Sequence, residues 1–477
     1  MPKVTVQIPV FNERFMVNRI IHAVAKFEYP QELLQIQVLD DSTDDTPKIA
    51  REAVEKFRAK GVNIVLIHRA HRTGYKAGAL AEGLKKATGE FIAIFDADFV
   101  PHSNFLQRIF VEHKAFDDPQ IGFVQTRWTY LNRNQNLLTR SLGIIMNVHF
   151  FIDQPARYHA NLPFHFNGSG GIWRARCIED AGGWHFDTLT EDLDLSYRAR
   201  LKGWRGIYLL EEEAPNDLPA DILAFKQQQK RWARGIAQCF RKLLLTILVS
   251  KFSPLQKLSS IFHISGYFLC PCLVIFIVLW PIIVLKEGLI SQVPLWLHFL
   301  GPLGIAYVLA MYLASIKQKE DRKRFFLDIL FTALIGVGIS LNNAVAVGMG
   351  LFRKQTGVFE RTPKGLSDQK GTESEFPIIS LNRRSVYKLQ PDWTMWGELL
   401  MACYSFTMWI WLFRKGEWLL GFPMALYGIC FACISLMQLR DVLRSRNEVF
   451  ESSQSTREFR SAEMKTLAGS DVTPPAE

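Results

Sequence analysis

Residues 1 to about 240 of this chain alternate charged and apolar patches, whereas residues 260–437 hold long stretches with almost no charge. No single packed core accommodates both patterns, and 477 residues exceed what one core supports. Stretch 261–285 is long enough to cross a bilayer and carries no formal charge, only His263. Stretches 295–316, 396–413 and 418–437 repeat the pattern, the last two joined by a tight turn at 414–417. Trp296, Trp396 and Trp418 stand at their ends, where indoles suit a membrane–water interface. About four transmembrane helices are therefore predicted within a membrane domain at 255–437.

Segment 325–352 is long enough to be a fifth span, but Asp328, Asn342 and Asn343 make it a poor lipid-facing helix. If it spans, the basic loop at 353–388 is external while Lys317, Lys319, Arg322, Lys323 and Arg324 are internal. If it lies in the interface, both loops and the basic end at Arg440, Arg444 and Arg446 share the cytoplasmic side. The second arrangement satisfies the positive-inside rule better, so 325–352 is predicted as an interfacial or re-entrant helix. Segment 226–248, with a basic, glutamine-rich start leading into LLLTIL, is also predicted as interfacial. The polar tail at 447–477 is predicted to be disordered.

The formal net charge of +10 could indicate a nucleic-acid partner. Much of the excess flanks the apolar stretches, and no nucleic-acid-binding module is recognisable, so none is expected. The seven cysteines show no metal-site spacing: Cys270 and Cys272 flank a proline, and Cys430 and Cys433 lie inside an apolar stretch. They read as small buried apolar residues. The start, MPKVTVQIPVF, is too short and too strand-like for a signal peptide, and no membrane helix is expected ahead of it.

Within the first region, short apolar runs at 4–9, 36–39, 64–67 and 91–95 alternate with helical segments at 16–26, 44–60 and 77–86. That rhythm predicts an α/β domain at 1–245, with a mostly parallel sheet covered by helices on both faces. Three strands end on polar chemistry, Asn12-Glu13, Asp40-Asp41 and Asp96-Ala97-Asp98. One carboxylate after a strand is often a helix cap; three such endings on one edge predict a site.

Asp96 and Asp98, one residue apart at a strand end, can share a hard divalent cation and leave its other positions for phosphate oxygens. Thr190-Glu191-Asp192 opens a segment of helical periodicity. Thr190 reads as its cap, and Asp192 as a carboxylate mounted to deprotonate a sugar hydroxyl. Gln228, Arg231 and Trp232 share one helix face, where Arg231 can pair with phosphate and the indole can carry a sugar ring. An ordinary interfacial Arg-Trp pair is the alternative. FNGSGG at 166–171 contains a glycosylation sequon, which has no meaning on the cytoplasmic side. It reads instead as a loop whose backbone approaches a ligand.

In order, VQIPVFNE, VLDDSTDDT, RTGYKAGAL, FDADF, QTRW, FNGSGGIWR, AGGW, TEDLDLSYRARLKGW and QQQKRW resemble the family-2 processive glycosyltransferases of the cellulose-synthase superfamily. The likeness is nearest to the glucomannan 4-beta-mannosyltransferases and related bacterial synthases. It is dense over about residues 3–245 and fainter beyond, where FERTPKG resembles a cytoplasmic gating loop within 353–394. The resemblance implies a GT-A-type fold in which Asp40, Asp41, Lys76 and Arg231 bind a nucleotide-sugar donor, GDP-mannose or UDP-glucose. It further implies Mg2+ or Mn2+ on Asp96 and Asp98, with Asp192, beside Glu191, as the catalytic base. Phe166, Asn167, Gly168, Gln228 and Trp232 would meet the acceptor, and Phe359, Thr362 and Lys364 would close over bound nucleotide.

The implied product is a β-linked mannan, glucomannan or glucan, made by an inverting, multi-pass protein of a bacterial inner membrane or its equivalent. A single-addition transferase making a membrane glycolipid shares many of these motifs. A transporter or scaffold that has lost catalysis predicts missing carboxylates, yet all are present. A two-acid glycosidase leaves the metal motif unexplained. The small span count leaves room for an accessory export subunit or a second copy of the chain.

Overall fold

The computed structural model describes residues 1–286, 301–317, 322–353 and 392–468. Its first half is one seven-stranded sheet, made of β1 (Val4–Val10), β2 (Leu34–Asp40), β3 (Ile64–His68), β4 (Phe91–Ile94), β5 (Ile121–Tyr130), β6 (Gly171–Arg174) and β7 (Arg205–Asn216). The strand order is β3-β2-β1-β4-β6-β5-β7. The β3, β2, β1 and β4 strands are mutually parallel, β6 is antiparallel to both neighbours, and β7 is parallel to β5. Each run read as a strand is one, with ends displaced by one or two residues.

The strands are apolar on both faces because both are covered. Val17, Ala50 and Phe57, from the helices Val17–Val24 and Thr46–Arg58, pack with Val6 and Ile36 on one side. Ala77 and Leu80, from the helix Tyr75–Lys85, pack with Ile92 and Trp173 on the other. Chain order reverses at β1, flanked by β2 and β4. A crevice therefore opens beyond the carboxyl ends of these strands, where Phe11, Asp41 and Asp96 follow.

A long helix, Ile222–Val249, carries the chain out of the sheet domain. Asp221 caps it by accepting the Ala224 amide at 2.7 Å. Its start is buried in protein. Lys226 Nζ lies 2.7 Å from Glu398 Oε2 and 2.8 Å from Gln438 Oε1, on the helices Thr394–Arg414 and Trp418–Ala468. Only its last turns are open, with Leu245 and Val249 exposed.

The predicted span 261–285 is two helices. Ser253 and Gln256 form a capping box that starts Pro254–Ile264, and a break at Ser265 precedes Leu269–Leu285. Gly266–Leu285 and Trp418–Arg444 are long and apolar enough to cross a membrane. At the other two predicted positions stand Gly301–Lys317 and Thr394–Arg414. Segment 325–352 is a pair of helices bent by 44° at Ile339, a broken span or a re-entrant loop. Its polar residues face protein. Asp328 pairs with Arg140 at 3.2 Å, and Asn342 donates to the Lys226 carbonyl. Of the tail predicted to be disordered at 447–477, the part up to Ala468 continues the helix Trp418–Ala468, which satisfies its own backbone, and 469–477 lie outside the described residues. The gating-loop residues Phe359, Thr362 and Lys364 lie outside the described residues.

Candidate active site

The crevice beyond the strand ends is a cavity of about 390 Å³. It gathers Asp41, Lys76, Asp96, Asp98, Glu191 and Asp192 with Gln228, Arg231 and Trp232. Residues from two strand ends and three helices thus meet in one volume.

At its nucleotide end, Arg69 grips Asp41 with two hydrogen bonds of 2.7 and 2.5 Å. The Arg72 guanidinium lies 3.4 Å from the centroid of the Phe11 ring, leaving a flat cationic shelf against the cavity. Asp40 takes no part. Successive residues of an extended strand point to opposite sides. Fully buried, Asp40 binds His68 Nδ1 at 2.7 Å and the Ser42 amide at 3.1 Å, and it does not line the cavity.

Lys76 is mounted in the first turn of its helix. Its ammonium meets Asp96 at 2.6 Å, Glu191 at 3.9 Å and the Gly168 carbonyl at 2.9 Å. Burial alone would lower its pKa, but the charges of Asp96 and Glu191 outweigh that and raise it. Asp96 is fixed through its backbone, whose amide donates to Ser169 Oγ at 2.8 Å. Its carboxylate is one-third exposed to the cavity that Asp98 also lines, and both offer hard oxygen donors suited to Mg2+ or Mn2+.

The Glu191–Leu201 helix presents Asp192 in its first turn, where Oδ1 accepts the Leu193 amide at 2.8 Å. Thr190 does not cap this helix with its side chain; its hydroxyl contacts Cys239 Sγ instead. Burial, then the neighbouring Glu191 charge, pushes the Asp192 carboxyl up to about 7, against Lys76 and Arg231, which favour its ionised form. Arg231 is itself lowered by burial, opposed by Glu191, Asp96, Asp192 and Asp98. A carboxylate poised near neutrality is suited to accept a proton.

The glycine-rich loop closes the site over Asp192. Gly168 has φ +82, and a Cβ there would lie 2.9 Å from Asp192 Oδ2. Asn167 and Gly168 line the cavity, but Phe166 does not. Phe166 is fully buried in the loop before β6, packed against Phe123 and Trp173. The helix bearing Gln228, Arg231 and Trp232 is pressed onto the Thr190 loop at Gly235, where an added Cβ would sit 2.6 Å from the Thr190 methyl.

A second acidic group, His185, Asp187 and Asp194, brings three ligand atoms within 4.8 Å of one another. Lys242 Nζ stands among them, 2.7 Å from Asp187 and 2.9 Å from Asp194, so their charge is balanced by protein. This cluster ties the Asp192 helix to the long helix. Phe11 and Arg72 were legible, since both fall inside motifs that end at the cavity. His149, Asp153, His165, His263 and Tyr267 also line it, and no spacing marks them in the sequence.

Residues 2–235 match the family described as Glycosyltransferase like family 2. The chain is 36% identical over 364 residues to glucomannan 4-beta-mannosyltransferase 2 of Arabidopsis thaliana, covering 74% of this chain and 65% of that one. It is 39% identical over 366 residues to a probable glucomannan 4-beta-mannosyltransferase 11 of Oryza sativa subsp. japonica, covering 73% and 61%. The chain thus spans under two thirds of the length of these relatives. Among solved structures, a mannosyltransferase from Pyrobaculum calidifontis, in complex with GDP-Man and Mn2+, matches with a TM-score of 0.49 and 20% identity. That match covers 74% of this chain and 88% of the other. The mostly parallel sheet is a GT-A-type domain followed by a helical region, and residues 2–235 carry the glycosyltransferase family 2 match.

Proposed function

We propose that the chain extends a β-1,4-linked mannan or glucomannan from GDP-mannose, at the cytoplasmic face of a membrane that its helical region spans more than once. One observation carries the reading: a single cavity joins the Asp41 nucleotide end, the Asp96/Asp98 pair, the Asp192 carboxylate and the Gln228–Trp232 face. The names of the curated relatives supply the sugar and the linkage.

In the reaction, the acceptor 4-hydroxyl attacks the anomeric carbon of the donor from the face opposite the diphosphate. Its proton passes to Asp192, the new C1–O4 bond forms, and the old C1–O bond breaks with its electron pair leaving on the nucleoside diphosphate. A single displacement inverts the anomeric centre. Arg231 and Lys76 offset the negative charge that builds on the diphosphate. Asp96 and Asp98 would hold Mg2+ or Mn2+, which supplies the further positive charge this leaving group needs. Trp232 provides a flat face for a sugar ring and excludes water from it.

Membranes containing the protein are offered GDP-mannose and UDP-glucose, each with Mg2+ or Mn2+. A product cut by an endo-β-1,4-mannanase is expected from GDP-mannose. A lipid carrying one sugar would overturn the polymer reading, and use of UDP-glucose alone would overturn the donor.

A further inference from the structure

Beyond Asp192 the cavity continues into a row of imidazoles contributed by three separate parts of the chain. Asn167, next to the Gly168 that touches Asp192, faces His149 Nε2 through Oδ1 at 3.3 Å and accepts from Gln154 at 3.0 Å. The His149 and His165 ring centroids are 5.7 Å apart, and those of His165 and His263 are 4.9 Å apart. His263 belongs to the helix Pro254–Ile264, so the row runs from the base to the first helix beyond the sheet domain.

Two features of this end are costly unless something occupies it. His149–Asp153 is a π-helical turn interrupting an otherwise α-helical stretch that begins at Leu137. Such turns are rare and concentrate at functional sites; this one places His149, Phe150 and Asp153 on the cavity. His165 Nδ1 is buried with no hydrogen-bond partner among the described residues. A buried imidazole nitrogen left in that state forfeits its hydration without compensation.

The charge of this end also differs from the donor end. Burial, then the neighbouring His263 and His149, holds the His165 ring well below its usual pKa. Burial and Arg157 push His263 down to about 3, and its Nδ1 is hydrogen-bonded to the Tyr197 hydroxyl at 2.8 Å. Both rings are neutral at physiological pH. Asp153 is spent on Arg157 at 2.7 Å and His149 at 3.2 Å. A neutral imidazole offers one donor and one acceptor, which matches hydroxyl groups, and it lacks the positive charge that favours phosphate. Tyr267, held by Gln229 at 2.8 Å, adds an aromatic ring to the lining.

We propose that His149, His165 and His263 form a subsite for the sugar units of the acceptor chain lying behind the one that reacts, facing their hydroxyls with a row of imidazole rings. The inference rests on the polymer reading above and adds to it. The enzyme senses more than the terminal sugar, so affinity grows with acceptor length.

The full chain in detergent is given GDP-mannose with Mn2+ and either methyl β-mannoside or β-1,4-mannotetraose. The wild type is expected to have the lower KM for the tetraose. His165→Phe and His263→Phe, which keep ring volume and lose the nitrogens, are expected to raise the tetraose KM by about tenfold each. The KM for GDP-mannose should change far less than that for the tetraose, and the loss on the tetraose should exceed any loss on the monosaccharide. His263→Gln, which keeps a hydrogen-bonding amide, should recover part of the advantage and serves if a phenylalanine variant fails to bind donor. A variant that binds donor and keeps the wild-type tetraose KM overturns the subsite while leaving the polymer reading intact. A wild type that adds mannose to neither acceptor overturns the polymer reading, and the subsite falls with it.

Discussion

The sheet domain and the helical region both bury charge, but they use it differently. Around the cavity, Lys76, Asp96, Asp192 and Arg231 act on one another across a space large enough for substrate, and their protonation equilibria shift in response. In the helical region, Lys226 is bonded to Glu398 and Gln438, and Asp328 to Arg140, in contacts that close on protein alone. A buried ion pair completed by protein fixes how helices sit, at a desolvation cost that its geometry must offset. Charges around a cavity keep part of their interaction for a ligand. The same residue types therefore mean chemistry in one half and alignment in the other.

The strongest way to break this contrast is Asp192→Asn. We expect transfer to fall by about a thousandfold or more, with donor binding in Mn2+ retained. Turnover near the wild-type value would remove Asp192 as the base. Next, chelating divalent cations, or Asp98→Asn, should cost on the order of a hundredfold in rate and weaken GDP-mannose binding measured by titration. In the helical region Lys226→Met leaves Glu398 buried without its cation, with only the Gln438 amide donating to it at 2.7 Å. A loss of about 3 kcal/mol or more is expected in unfolding of the detergent-solubilised protein, and adding Glu398→Met should recover much of it.

A smaller effect follows from the raised Asp192 pKa. The base must be ionised, so the rate should climb with pH, by about tenfold per unit on the acid side, and level off near pH 7. A bound cation favours the ionised form and moves that midpoint downward. A rate that falls across this range would contradict the assignment. The smallest effect on turnover should come from Asp40→Asn. With His68 and Ser42 as its partners, it should lower stability by about 1–3 kcal/mol and leave the donor KM nearly unchanged. A large rise in that KM would return Asp40 to the site.

The strands, the three polar strand ends and the residues Asp96, Asp98, Asp192 and Arg231 were legible because each sits at a fixed place in a periodic element. Asp40 and Phe166 do not line the cavity: strand geometry sends Asp40 to the side opposite Asp41, and Phe166 packs from its loop onto Phe123 and Trp173. The histidine row was invisible for a different reason. His149, His165 and His263 come from a π-turn, a loop and a separate helix, and nothing local relates their positions. The single helix predicted near residue 261 failed at Ser265, where a capping box upstream and a glycine downstream divide one apolar run into two.

The helix Ile222–Val249 has a consequence for where the enzyme can be cut. Its 28 residues form an unbroken rod about 42 Å long, and the family match ends at residue 235, midway along it. The family match therefore stops inside a helix that the 364-residue likeness to the Arabidopsis relative must extend beyond. A truncation after residue 235 keeps every carboxylate of the reaction. It removes the half of the rod that carries Gln238 and Lys242, which hold the Leu189 amide and Asp194 on either side of the base.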